Sequence, residues 1–318
     1  MVSLTGVLGL VGRGLVVVVA LLVVASGVGY GMVAGGMVEV GPPVVHDFST
    51  EWGTVTDERT EFEATVAVEN PNPIGVPDIF DMEYAVDMNG ITVAEGEQRG
   101  VGIDAGDNDL DFEADIDNGD IPEWWVTHIN NGERTDVSVS ATVKAPYYSQ
   151  QLDVRSDTIQ TNLLGAFEGG GQEAVVIQGQ QVAVIEETEV RWGEADSEVT
   201  PVEVTVTVRN TADTDIVVRD PRYTVLFNGN VMGSGEQSAT LPIRQGETET
   251  VTLTMNLQTD RIEDWWPTHV QGSGDTRELT TVTTDVRVDV GTEYGYETVR
   301  IDSLSQQTTF NTSFVAGA

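Results

Sequence analysis

Apolar and polar side chains alternate along much of the chain after residue 43. Phe62, Ala64, Val66 and Val68 form one such series, and the same alternation occurs at 202–208, 137–143 and 282–290. A period of two with one apolar face is typical of half-buried β-strands. Many short strands separated by turn residues predict β-sandwich domains and a mainly β fold.

Two of the predicted strands run into an Asn-Gly pair. Each of these strands carries a tyrosine, Tyr84 in one and Tyr223 in the other. Asparagine and glycine both tolerate positive φ, so this pair is the strongest short signal for a two-residue hairpin. We therefore expect tight turns at the following residues: Asn89, Gly90, Asn228 and Gly229.

Two segments break the alternation and predict short helices. In the first, Asp120 can cap a helix that has Pro122 in its first turn and Gly132 beyond its end. The second begins near Asp260, and we expect Pro267 to stop it after about two turns.

Each predicted helix carries a Trp-Trp pair and a histidine. The pairs are Trp124, Trp125 and Trp265, Trp266. Adjacent residues are about 100° apart on a helix, so one ring should enter the core while the other lies at its edge with its N–H toward a partner. A platform for a ligand is the alternative. His128 and His269 should end the helices as partly positive imidazoles.

These features recur in a fixed order, which indicates two copies of one domain. The repeated groups are Glu51-Trp52-Gly53 with Arg191-Trp192-Gly193, Tyr84 with Tyr223, and Trp124-Trp125 with Trp265-Trp266. Their offsets are 140, 139 and 141 residues. Composition alone would not reproduce such spacing. We assign residues 39–164 to the first domain, 165–173 to a glycine-rich linker and 174–318 to the second domain.

The N-terminal segment differs from the rest. Residues 14–38 carry no charged side chain and contain a continuous apolar run at 15–24. A membrane-spanning helix needs roughly 20 such residues, so residues 14–38 are predicted to form a single transmembrane helix. Arg13 before the segment and Glu39 after it favour a short cytoplasmic N-terminus, 1–13, and domains outside the cell membrane. A cleaved signal peptide is the alternative, but its apolar core is only about 7–15 residues long.

Gly27, Gly31 and Gly35 would share one face of this single-pass anchor. Small residues at that spacing let a second helix approach closely, so a homodimer through this face is one expected partner arrangement. Frequent glycine in membrane helices is the simpler explanation.

The chain is strongly acidic, with 15 basic and 52 acidic residues and a formal net charge of −37. Nucleic acid is excluded as a partner because its phosphates require clustered Lys and Arg, and Lys144 is the only lysine. Self-repulsion of this size destabilises a compact state in dilute buffer, whereas molar salt shortens the Debye length to about 3 Å. We therefore expect a salt-rich cell, as in a halophile.

No residue pattern nominates catalysis, a cofactor or a metal. The chain has no cysteine, and each repeated histidine lacks neighbouring ligands at metal-binding spacing. The acidic run from Asp104 to Asp120 lacks the glycine and the closing glutamate of a calcium loop, and its alternation predicts a strand with an acidic outer face. We expect a protein that is not an enzyme.

The first copy resembles a known family. The strand that ends in Asn70, Pro71, Asn72 and Pro73, followed by the tyrosine strand and hairpin, resembles the water stress and hypersensitive response (WHy) domain of group-2 late embryogenesis abundant (LEA type 2) proteins. Asparagine before proline is held extended, and the prolines then turn the chain out of the sheet. The second copy keeps Asn210 without the prolines.

The resemblance implies an immunoglobulin-like or fibronectin-like β-sandwich with one short helix per copy. It also implies a non-catalytic role in tolerance of desiccation or osmotic stress. A cell-surface binding or architectural module is the alternative, because a fold does not determine function. Asn311 begins an Asn-Thr-Ser sequence, a glycosylation acceptor that would suit an exported domain.

Overall fold

The computed structural model describes residues 44–73, 75–145, 148–169, 171–271, 278–292 and 295–311. Within them the chain forms seventeen β-strands and two α-helices, so the predicted mainly β fold is confirmed. None of the helices in these ranges is long and apolar enough to span a membrane. The predicted anchor at 14–38, with Gly27, Gly31 and Gly35, lies outside the described residues.

The chain divides into two compact units. Of the described residues, unit 1 holds those within 44–124 and 134–161, and unit 2 holds those within 125–133 and 162–311. The division therefore precedes the glycine-rich segment at 165–173. Phe167 in that segment is buried against Trp192 of unit 2, with ring centroids 5.9 Å apart, because an apolar ring gains more from packing than from exposure.

Unit 1 contains seven antiparallel strands. They are β1 (Val44–Val55), β2 (Arg59–Asn70), β3 (Val76–Met88), β4 (Ile91–Ile103), β5 (Gly106–Asp117), β6 (Arg134–Ala145) and β7 (Tyr148–Gln160). Their order in the sheet is β1-β2-β5-β4-β3-β6-β7. Strands β4 and β5 are joined only through Ala94 with Ile116 and Glu95 with Asp115.

The alternation predicted from the sequence matches the burial in unit 1. Along β2 the residues Phe62, Ala64, Val66 and Val68 are all buried, while the residues between them are partly exposed. Each fully buried Val or Phe contributes about 1.5–3 kcal/mol relative to exposure. With no cysteine in the chain, this packing is the main source of stability.

Unit 2 has the same plan with additional strands. They are β8 (Glu173–Ile177), β9 (Gln180–Trp192), β10 (Val199–Asn210), β11 (Ile216–Phe227), β12 (Asn230–Glu236), β13 (Thr240–Ile243), β14 (Thr248–Gln258), β15 (Leu279–Thr292), β16 (Gly295–Arg300) and β17 (Gln307–Asn311). One sheet has the order β14-β10-β9-β8 and the other β12-β11-β15-β16, with β13 on β11 and β17 on β15.

Two helices form where the alternation breaks, as predicted. They are α1 (Ile121–Asn130) and α2 (Arg261–Val270). The prediction that Pro267 ends the second helix is wrong, because α2 continues through it to Val270. Proline removes one hydrogen bond and costs about 3 kcal/mol inside a helix. Burial of Trp265, Trp266 and Val270 around it outweighs that cost.

In each unit a tyrosine hydroxyl reaches a strand that does not pair with its own, from β3 in unit 1 and from β11 in unit 2. The Tyr84 hydroxyl donates to the carbonyl of Glu113 on β5, and its ring lies 6.0 Å from that of Phe112. In unit 2 the Tyr223 hydroxyl accepts the N–H of Asn256 on β14 at 2.8 Å. In unit 2, β11 and β14 belong to different sheets, so this bond connects the two sheets. In unit 1, β4 lies between β3 and β5 in the sheet, and the bond passes over β4 at Gly96.

Each tyrosine ring lies across the glycine opposite it on the next strand. Tyr84 is the register partner of Gly96, and Tyr223 is the partner of Gly235. A Cβ at residue 96 would lie 2.2 Å from the Tyr84 ring and 2.4 Å from the Glu113 carbonyl oxygen. Only glycine allows this approach, so the hydroxyl reaches its partner because the opposing residue has no side chain.

We predict that Gly96→Ala destabilises unit 1 by about 1–3 kcal/mol, because the tyrosine ring and the strand must both shift. The free energy of unfolding from urea denaturation in molar KCl measures this effect. Gly171→Ala is the control, since a Cβ there meets no atom within 4 Å. A Gly96→Ala variant as stable as the control would show that the ring is not held against the glycine.

Candidate functional site

The asparagine of the family motif caps the end of a strand. Asn70 is 2% exposed, and its side-chain oxygen accepts the backbone N–H of Asn72 at 3.1 Å and the Asn72 amide at 2.7 Å. Pro71 and Pro73 are exposed and turn the chain away from the sheet. The motif is therefore an asparagine turn that satisfies backbone groups where β2 ends.

The second copy builds the same turn without prolines. Asn210 is 1% exposed, and its oxygen accepts the N–H of Ala212 at 2.8 Å. Its amide donates to the carbonyls of Thr214 and Ile243, both at 2.9 Å. Asparagine, and not proline, is thus the part of the motif that both copies need.

Both predicted Asn-Gly hairpins are present, and their asparagines also tie the turn to a third strand. Asn89 and Gly90 have φ of 53° and 81°, and Asn228 and Gly229 have φ of 50° and 88°, as a type I′ turn requires. Asn228 accepts the N–H of Thr281 at 2.8 Å, and Asn89 makes the equivalent bond to Asp136.

Both indole rings of each Trp-Trp pair are buried, so the expectation of one ring in the core and one at its edge is wrong. In unit 1, Trp124 donates its N–H to Thr135 at 2.9 Å. In unit 2, Trp125 donates to Thr200 at 3.1 Å, and Trp265 donates to Thr280 at 2.9 Å. Buried threonine hydroxyls give each of these indoles a partner away from the surface, which removes the need for an edge position.

A cluster of rings surrounds Trp125 in unit 2. Its centroid lies 5.8 Å from Trp265 and 6.4 Å from Trp192 and from Phe227, all in edge-to-face arrangements. Such contacts add roughly 0.5–1.5 kcal/mol each beyond burial. The Trp-Trp pairs therefore act as structural anchors, and they present no exposed platform for a ligand.

The two repeated histidines lie in the last turns of their helices, as predicted, but they are not partly positive. Burial lowers the pKa of His128 to about 4, although Glu133 opposes this shift, and lowers the pKa of His269 to about 3. His269 is fully buried, stacks on Trp265 at 4.9 Å and contacts the Thr280 hydroxyl through Nδ1 at 2.7 Å. Desolvation in the core outweighs the favourable helix dipole.

A buried glutamate follows each helix, and the sequence reasoning missed both. Glu133 and Glu278 are 6% and 4% exposed, with φ of 60° and 57°. In unit 2, Glu133 accepts the backbone N–H of Leu164 at 2.8 Å and the indole N–H of Trp192 at 2.9 Å. Their repetition after each Trp-Trp-His segment was the available signal, together with the buried threonines two residues further on.

The exposed feature that distinguishes unit 1 is an acidic face on β1, β2 and β5. The run predicted as a strand with an acidic outer face is β5, and that prediction is confirmed. We define the acidic face by its outward-pointing carboxylates: Glu51, Glu61, Glu63, Glu69, Asp107, Asp109, Asp111, Glu113, Asp115 and Asp117. Arg59 pairs with Asp115 at 2.9 Å and supplies a cation at one end.

Carboxylates lie directly opposite each other across this face. Glu51 is the register partner of Glu63, and Glu63 is the partner of Glu113. Like charges in such positions destabilise a sheet. Desolvation raises the pKa of Glu63, and the neighbouring carboxylates, with Glu61 first, raise it further.

The second copy interrupts the same row with a cation. Arg191 stands where the first copy has Glu51, and its guanidinium pairs with Glu203, the equivalent of Glu63. The two copies therefore share a backbone but differ in how this sheet face is neutralised. In the first copy Glu51, Glu63 and Glu113 follow one another in this row, so counter-ions from solution are what can screen their repulsion.

We predict that His269 makes stability fall on acidification. The unfolded chain binds a proton there below about pH 6.5, whereas the folded chain resists protonation until about pH 3. The free energy of unfolding should therefore decrease by about 1.4 kcal/mol per pH unit for this residue as the pH falls from 6 to 5. Urea denaturation across that range should show a shallower slope for His269→Gln. An unchanged slope would contradict a neutral buried imidazole.

We predict that Glu63→Gln stabilises unit 1. A raised pKa means that the folded state binds the proton more tightly than the unfolded state does, so the ionised carboxylate costs stability at neutral pH. The gain should be at most about 1 kcal/mol in dilute buffer and should become smaller in molar KCl, which screens the repulsion between carboxylates but not the desolvation of Glu63. Glu203→Gln is the matched control, because it loses its pairing with Arg191 and should not stabilise. Equal effects of the two variants in thermal melts would refute repulsion as the cause.

Comparison with known proteins gives a family match in both copies. The sequence model of the family described as late embryogenesis abundant protein, LEA_2, matches residues 65–155 and 205–303, which together are more than half of the chain. No curated protein matches the sequence.

Solved structures give weaker likenesses. A crystal structure of a protein from Archaeoglobus fulgidus is 20% identical, with 40% of this chain and 97% of that chain covered and a TM-score of 0.37. A solution structure from Arabidopsis thaliana is 15% identical, with 40% and 85% covered and a TM-score of 0.27. A protein described as a late embryogenesis abundant (LEA) protein is 12% identical, with 39% and 72% covered and a TM-score of 0.23.

The family assignment depends on the sequence match over the two copies. In each copy the matched region includes strands, the Asn-Gly hairpin and the helix with its Trp-Trp pair. The chain belongs to the LEA_2 family of late embryogenesis abundant proteins.

Proposed function

We propose that this protein is a non-catalytic, membrane-anchored stress-tolerance protein of the WHy type, acting in desiccation or osmotic stress. The observation that carries the proposal is the LEA_2 match in both copies. The apolar segment at 14–38 supports a single-pass anchor in the cell membrane, with both domains outside the cytoplasm. Asn311, a glycosylation acceptor in this proposal, ends strand β17.

The acidic face suggests how such a protein would act. Carboxylates hold water and counter-ions, and a folded unit keeps them at high density on a fixed surface as water activity falls. Because Glu51, Glu63 and Glu113 repel one another, cations that accumulate on drying would stabilise the fold. A salt-rich cell supplies these ions continuously, so the charge supports a halophilic origin.

The proposed physiological role predicts a survival defect. A strain that lacks this chain should survive drying and abrupt salt change less well, and re-expression of the full-length protein should restore survival. A form that lacks residues 1–38 should not restore it, because the domains would no longer be held at the membrane. Unchanged survival in every condition would favour the cell-surface binding module, which crosslinking on intact cells would then reveal through a partner.

A triple variant tests whether the acidic face carries the protection. Glu63→Gln, Asp111→Asn and Glu113→Gln remove three of its charges and should reduce survival. Glu187→Gln, Glu189→Gln and Glu249→Gln remove three exposed carboxylates from unit 2 and serve as the control with the same change in net charge. Equal loss in the two triple variants would show that total charge matters and that the face does not.

A further inference from the structure

Three side chains at one end of the acidic face have the spacing of metal ligands. Ligand atoms of His46, Glu69 and Asp107 all lie within 4.8 Å of one another. The His46 Nε2 atom is 2.8 Å from a Glu69 carboxylate oxygen. Among the residues that the structure describes, no other set of three or more histidine and carboxylate side chains converges in this way.

The three residues come from neighbouring strands, and that is why they converge. Glu69 on β2 is the register partner of Asp107 on β5. Along a single strand, side chains on one face are about 7 Å apart, too far to share an ion, so the alternating aspartates of β5 cannot form a site by themselves. Partners on adjacent strands lie about 5 Å apart, and these two carboxylates therefore approach each other.

A β-bulge adds the imidazole. The register of β1 against β2 shifts between Val45 and Asp47, which makes His46 the extra residue. A bulge re-aims the side chain it carries, and here that side chain reaches the neighbouring strand at Glu69.

The second copy has the same bulge, with a glutamate on it and an arginine at the position of Glu69. The register of β9 against β10 shifts between Ile185 and Glu187, so Glu186 is the extra residue, 140 positions after His46. Arg209 is likewise 140 positions after Glu69, and its Nε lies 2.6 Å from a Glu186 carboxylate oxygen. The register partner of Arg209 on β14 is Thr248, which stands where the first copy has Asp107.

The two copies thus differ in the charge of the side chain beside the bulge. In unit 2 the guanidinium of Arg209 neutralises the carboxylate at the bulge. In unit 1 the equivalent position holds Glu69, and Asp107 adds a second carboxylate beside it. The first copy therefore has two adjacent carboxylates and no guanidinium between the same strand positions.

We propose that His46, Glu69 and Asp107 bind one first-row divalent cation, with Zn²⁺ as the probe. Imidazole nitrogen and carboxylate oxygen both ligate Zn²⁺ at about 2.0–2.2 Å, and the ion commonly takes three protein ligands and one water. The ion replaces the guanidinium of the second copy and neutralises both carboxylates. The site lies on exposed strands, so it exchanges its metal with the medium.

Calorimetric titration of the full-length, untagged protein in detergent with ZnCl₂ tests the proposal. Molar KCl and excess Mg²⁺ in the buffer prevent Zn²⁺ from binding weakly to the other exposed carboxylates. We expect one Zn²⁺ per chain. Loss of a group that only orients a ligand lowers metal affinity roughly 10–100-fold, and loss of a ligand itself should cost at least as much. His46→Ala and Asp107→Asn should therefore weaken binding by at least about tenfold. Asp109→Asn, on the same strand and face with the same charge change, should bind normally. Failure to saturate, or normal binding by His46→Ala, would overturn the site.

Two charge-exchange variants keep the test independent of folding defects. Glu69→Arg gives the first copy the residue found in the second, so it should remain folded by circular dichroism while losing Zn²⁺. The triple change Glu186→His, Arg209→Glu and Thr248→Asp should create a second site and raise the stoichiometry from one to two. Retained binding in Glu69→Arg would show that the ion is held elsewhere, and a stoichiometry of one in a folded triple variant would show that the register does not define the site.

Discussion

Repulsion between carboxylates is the constraint that shapes both units of this protein. A net charge of −37 must be carried by a chain without disulfides, so the inward-facing residues of the strands have to hold each unit together against it. The strict alternation on β2 and β10 meets this requirement by keeping every second residue buried and the charges outside. Apart from Glu133 and Glu278, the buried polar side chains, such as His269 and Asn210, are neutral, and their hydrogen bonds stabilise the core without adding charge.

Local sequence signals predicted the elements well. The strands, both Asn-Gly turns and both helices follow from patterns of a few residues, because periodicity and turn chemistry act over short distances. Pro267 was misjudged because its effect depends on burial around α2, which is a tertiary property. The neutral state of His269 and the burial of Trp124 and Trp265 were missed for the same reason. Their hydrogen-bond partners, Thr280 and Thr135, lie on the strands that follow the helices.

The candidate sites depend on register, which a sequence pattern does not contain. His46 and Glu69 are 23 positions apart, and only the bulge in β1 brings them together. Once the pairing is known, the duplication becomes informative, because each position in one copy has a counterpart in the other. Differences such as Glu69 against Arg209 then show where the copies diverged in electrostatics while keeping the same strand geometry.

The choice of arginine over lysine has a consequence for hydration. Among the lysine and arginine ion pairs on the described surface, arginine supplies the cation in all but the pair formed by Lys144 and Glu83. A guanidinium is more weakly hydrated than an ammonium group, so it gives up its water readily when it meets a carboxylate. The basic residues therefore compete little for the last water molecules, and the hydration shell that persists at low humidity belongs to the carboxylates.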